Sequence, residues 1–170
     1  MLSTFGVVLI FYAVSWIANW LLSEYNVRKL QAVGTTSTSE QFPEINQALE
    51  DVCAQFGVAH APLVIVINMS AVNAFAIKFA RKKVIVLLSE TLEGILDKPA
   101  ELRFILGHEM AHVLLDHGKR GMFELSKPAA YKAAREMTCD NLGCAAAGNL
   151  ASSKTVLKRL SGEQTVFAAG

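Results

Sequence analysis

A chain of 170 residues, 52% hydrophobic and 18% charged, is long enough for one domain with one core and too short for several. Its net charge of +1 gives no general attraction to nucleic acid, so no nucleic-acid partner is expected. The three cysteines, Cys53, Cys139 and Cys144, include no C-x-x-C pair, and their odd number suits a reducing compartment better than a disulfide scaffold.

The chain opens on an uncharged stretch, Met1 to Ser23. Within it, Phe5 to Leu22 is a mostly apolar run that includes Tyr12, Trp16 and Trp20. That run is long enough to cross a bilayer with little tilt. A cleaved signal peptide would carry Lys or Arg ahead of a shorter apolar core, so the run reads as a single membrane anchor rather than as a leader or a buried helix. Arg28 and Lys29 follow it and favour a cytoplasmic position for the rest of the chain. Gly34 to Ser39 is small and polar and reads as a link. Pro43 to Phe56 then sets Ile45, Leu49, Val52 and Phe56 on one helical stripe.

Leu63 to Ile67 and Val84 to Leu88 are β-branched runs that predict strands, and Phe75 to Phe79 alternates between them. A short turn around Arg81-Lys82 predicts an antiparallel hairpin between this middle strand and the last. Arg81-Lys82-Lys83, and Lys119-Arg120 further on, read as solvated turns, one of which could touch anionic lipid headgroups.

Asp97-Lys98-Pro99-Ala100-Glu101 predicts a helix start, with proline where its missing N–H costs nothing, and Gly118 predicts the stop. Leu102, Ile105, Leu106, Met110, Val113 and Leu114 form its apolar face. On this helix lies His108-Glu109-Met110-Ala111-His112. Residues four apart share a face, so both imidazoles can reach one tetrahedral zinc about 2.0–2.1 Å away. Glu109 is offset from that face, where it can take a proton from water at the metal. Hydrogen-bonded core histidines are the plain alternative.

A third ligand is needed. His117 is turned about 140° from His112 around the helix and points away. Ser126-Lys127-Pro128 predicts another helix start, and on that helix Glu136 and Asp140 share a face while Gly143 leaves it bare, so that two helices could approach closely. Glu136 would complete a His2Glu site, and Asp140 could accept the outer N–H of a ligating imidazole. An ordinary exposed acidic pair beside Arg135 is the competing reading. Cys139, three residues after Glu136, could approach the metal but reads better as buried packing.

Asn73-Ala74-Phe75-Ala76, His108 to His112 and Glu136-Met137-Thr138-Cys139-Asp140 follow the N-A-F-A, H-E-x-x-H and E-x-x-A-D order of a known group. Over roughly residues 41–148 the chain resembles the HtpX-like and CAAX-prenyl-protease-like gluzincin metallopeptidases. The resemblance implies a zinc-dependent endopeptidase, usually membrane-bound. His108, His112 and Glu136 would be ligands, Glu109 the general base and Asp140 their support. It also implies that Asn73 and Ala74 lie on the edge strand that binds substrate backbone, although Asn73 could equally be a turn residue before a strand. The interval from His112 to Glu136 leaves no room for a pair of transmembrane helices, so the chain looks more like the small single-domain members called minigluzincins. Cys139 stands where that pattern has alanine. The His-Pro and arginine elements of HtpX-like enzymes are not evident after Gly148; Arg159 is the candidate for the oxyanion-stabilising role.

The chain is therefore expected to be α+β: a zincin-like single domain with a small three-stranded sheet, an active-site helix and a glutamate helix, preceded by one transmembrane helix. The expected divisions are an anchor over residues 1–23, a linker over 24–40 and a peptidase domain over 41–170. The expected activity is hydrolysis of peptide bonds in peptide or protein substrates, membrane proteins among them, with Zn2+ as cofactor; the oligomeric state is open. The alternative is a catalytically inactive or latent membrane-tethered zinc-binding interaction module, which the short, apolar-ended C-terminal region favours.

Overall fold

A computed structural model describes residues 2–69, 74–79, 82–115 and 128–167, and of residues 2–6, 78–79 and 161–167 only the backbone. The chain forms α1 (Leu2–Val33), β1 (Thr35–Thr36), α2 (Pro43–Phe56), β2 (Leu63–Ile67), β3 (Ala74–Phe79), β4 (Lys82–Leu88), α3 (Ser89–Leu92), α4 (Pro99–Leu114), α5 (Ala129–Ala147) and α6 (Leu150–Phe167). The class is α+β, as expected.

The sheet is mixed, with strand order β1-β2-β4-β3. β3 and β4 form the predicted antiparallel hairpin, Ala76 opposite Ile85, while β2 and β4 run parallel. Four strands replace the three expected. The addition is β1, which pairs Thr35 with Val66 and Thr36 with Ile65 inside the stretch read as a polar link. Two residues are too few to show an alternating pattern. Gly34 makes the pairing sterically feasible, since a Cβ there would stand 2.6 Å from Ile65 Cγ2 and 2.8 Å from the Val66 carbonyl oxygen.

Both faces of the sheet are covered, so β2 is apolar throughout and β4 is apolar from Val84 to Leu88. On one face Val64, Val66, Ile85 and Leu87 pack with α2 and α4 residues such as Ile45, Val52, Leu102 and Leu106. On the other, Ile65, Ile67, Val84, Val86 and Leu88 pack with Val27 of α1. Helix α1 therefore continues through its charged turns and becomes part of the fold. Before Ser23 its described side chains are exposed, Phe11 70% and Trp16 60%, and among the described residues it is the one helix long and apolar enough to cross a membrane.

Helix α4 starts at Pro99 as predicted, and Gly118, its expected stop, lies outside the described residues. Rather than burying one stripe, α4 is enclosed on most sides: Leu102, Phe104, Ile105, Leu106, Glu109, Met110, Ala111 and Val113 are all buried. Leu114 departs from the expected face and is exposed, because it falls in the last turn, where the helix leaves the core. Helix α5 crosses α4 at two glycines. A Cβ on Gly107 would lie 2.4 Å from that of Ala146, and one on Gly143 would lie 2.9 Å from the Phe104 carbonyl oxygen. The bare face anticipated at Gly143 is used in this way.

Candidate metal centre

The close crossing brings the predicted donors together. His108 and His112 stand on consecutive turns of α4, and Glu136 reaches them from α5. His112 Nε2 lies 3.1 Å from His108 Nε2 and 3.3 Å from Glu136 Oε2, and His108 Nε2 lies 3.6 Å from the same oxygen. All three residues could hold one metal ion. A tetrahedral ion about 2.0–2.1 Å from its ligands keeps them about 3.3 Å apart, and the three edges of this triangle straddle that value. Two imidazole nitrogens and one carboxylate oxygen also suit zinc by ligand type.

Asp140 sits behind the triangle, with Oδ1 2.9 Å from His108 Nδ1. A carboxylate can only accept here, so Nδ1 donates its proton to Asp140, and once Nε2 gives up its own proton its lone pair faces Glu136 and His112. Burial pulls the His108 pKa down, but Glu136, Glu109 and Asp140 more than offset it and leave it above the ordinary imidazole value. Glu136 is held well below the usual carboxylate range, chiefly by hydrogen bonding to His108 and His112.

Glu109 faces a different environment. It is buried, and that burial raises its pKa above the ordinary value against the opposing pull of His108, His112 and a backbone N–H from Ala76. Ala76 belongs to β3, whose Ala74 and Ala76 pack on the α4 side of the sheet. The N–H engages one end of the carboxylate. Its Oε2 is buried with no hydrogen-bond partner among the described residues. A carboxylate oxygen left unpaired in a buried position is costly unless a ligand or proton completes it.

Of the other residues singled out in the sequence, Ala74 is the first residue of β3, opposite Leu87. Asn73 and His117 lie outside the described residues. Cys139 is fully buried, and its thiol pKa is pushed up to about 12, first by burial and then by the charges of Glu136 and Glu109. Arg159 is committed elsewhere: its Nη2 donates to the Glu90 carbonyl at 2.7 Å and ties α6 to α3. The contact with the Ala76 N–H was not legible in the sequence, because a backbone donor carries no residue signature.

Two histidines from one helix and a glutamate from a second can thus hold a metal ion beside a buried carboxylate. The family model for peptidase family M48 matches residues 39–168, 130 of the 170 residues, and the chain belongs to that family. Peptidases of this family are metal-dependent and act on peptides or proteins. No curated protein matches the chain.

Proposed function

We propose that the chain is a membrane-anchored, zinc-dependent endopeptidase of the compact, minigluzincin-like kind. In this reading His108, His112 and Glu136 hold the metal, Asp140 orients His108, and Glu109 is the general base. The observation that carries it is the convergence of three donor atoms from two helices beside a buried carboxylate whose second oxygen has no hydrogen-bond partner among the described residues.

Zinc, when bound, polarises the scissile carbonyl and lowers the pKa of water towards about 7. Everything else is the work of side chains and strand. The Ala76 N–H fixes the Glu109 carboxylate. Its second oxygen takes the proton from the attacking water and returns it to the departing amine, and a raised pKa suits a group that must do both near neutral pH. Strand β3, last in the sheet order, offers its backbone to an extended substrate, with Ala74 in the strand and the Asn73 amide both donating and accepting. In this reading residues 1–23 form the anchor and residues 41–170 the peptidase domain, residues 24–40 between them cover and join its sheet, and Arg28 and Lys29 favour the cytoplasmic side.

The test is cleavage of an unfolded protein by the full chain in detergent. The reading expects cleavage that a chelator abolishes and zinc restores. Zinc uptake without cleavage, both with and without residues 161–170, would overturn it in favour of a tethered zinc-binding module.

A further inference from the structure

Helix α1 meets the sheet at one particular place. Its described side chains, from Val7 to Leu22, are exposed, and the change to protein packing comes within a turn, at buried Ser23 and Val27. In that turn Glu24 Oε2 accepts from Lys82 Nζ at 2.8 Å, so the start of β4 stands level with the first residues after the apolar run. Farther along, Val27 covers Ile65 and Val84, and Gly34 presses on Ile65 and Ile67 before β1 joins β2. The helix thus enters over the hairpin and leaves over β1. The β3 edge is the edge nearer the span.

The side chains gathered there are basic and aromatic. Glu24 is the only acidic residue of α1, β3 and β4, and Lys82 neutralises it. Arg28 and Lys29 are exposed, and Lys83, on the Ile85 and Leu87 face of β4 rather than the α1 face, is partly exposed. Trp20, Leu21, Glu24, Tyr25 and Arg28 line a groove on α1 in which aromatic rings sit one to two turns below a guanidinium. Rings of this kind favour the interfacial layer, and a long cationic side chain reaches out to phosphate. On an upright helix Glu24 lies about 3 Å and Arg28 about 9 Å beyond Leu22 at 1.5 Å per residue. The polar layer on each side of a bilayer is about 5–7 Å thick, so Lys82 falls within it, while Arg28 and Lys29 start about 2–4 Å beyond it and reach back with their long side chains.

We propose that the start of β4 and the adjoining turns of α1 form a basic collar, in which Arg28, Lys29 and Lys83 carry the net charge and the Lys82–Glu24 pair joins the two elements, that docks on anionic phospholipid headgroups and holds edge strand β3 at the bilayer surface. The proposal rests on the reading of residues 1–23 as a span. It assigns Lys83 a partner that a solvated turn would lack.

The full chain is reconstituted in nanodiscs of phosphatidylcholine alone or mixed with phosphatidylglycerol, and amide exchange is followed over residues 74–88. Each basic residue at an anionic surface shifts the docking equilibrium about fivefold, so exchange is expected to slow about fivefold or more in the anionic discs. High salt is expected to remove the difference, as is the combined variant R28Q/K29Q/K83Q, which leaves the Lys82–Glu24 pair intact. In the same discs brominated acyl chains report on Trp16 and Trp20. Quenched tryptophans with equal exchange in both lipids would overturn the collar alone, whereas unquenched tryptophans would overturn the span and the collar with it.

Discussion

Asp140 supplies none of the three converging donor atoms, yet it fixes the proton on His108 Nδ1 from 2.9 Å away. Replacing it with alanine should weaken zinc binding about 10–100-fold while leaving the ligand set unchanged. Competition against a chelator measures this, and an unaltered affinity would remove Asp140 from the site. Proton competition gives a second expectation. A proton held on His108 must leave before Nε2 can bind metal, and the pKa of that group is raised, with Glu136, Glu109 and Asp140 outweighing burial. Zinc affinity should therefore fall on acidification, starting above the ordinary imidazole value of about 6.5. A pH-independent affinity across that range would contradict the electrostatics. These residues were legible in the sequence because helical spacing of four fixes which side chains share a face. The Ala76 donor was not, since any residue offers the same N–H.

At the level of elements, the centre depends on how closely α5 crosses α4. Gly107→Ala isolates that dependence. Alanine gains about 0.5–1 kcal/mol in helix propensity, but its Cβ would fall 2.4 Å from that of Ala146, and overpacking costs about 1–3 kcal/mol. The clash should win, lowering stability in denaturant by about 1–2 kcal/mol and loosening zinc by displacing Glu136. Adding Ala146→Gly should restore much of both, and additive losses in the double variant would place the strain elsewhere. Gly143 could be read from sequence because a missing side chain beside two acidic residues marks a contact face. Helix α6 could not. Its residues 150–167 are mostly polar and give little stripe, and its burial at Ser153 and Val156 comes from tertiary packing that no local pattern encodes. Strand β1 was missed for the same reason, being formed by what lies beside it.

For the whole molecule, α1 has two partners along its length: an exposed apolar part, and a last part that covers one face of the sheet. A chain beginning at Ser23 should remain folded and bind zinc, because Val27 still covers Ile65, Ile67, Val84, Val86 and Leu88. A chain beginning at Gly34 would expose that face and should aggregate. Size-exclusion profiles of the two truncations decide this, and equal solubility would mean that the last turns of α1 are dispensable. The sequence showed the apolar run and the charges after it, but a helix that changes partners midway leaves no boundary in its own periodicity.

The central claim is that one carboxylate on α4 moves protons while its neighbours hold the metal. Glu109→Gln keeps the shape and removes the base, so zinc content and cleavage of an unfolded substrate should be measured on the same preparation. The account predicts one equivalent of zinc retained and turnover lost. Cleavage at the unsubstituted rate with zinc still bound would contradict it.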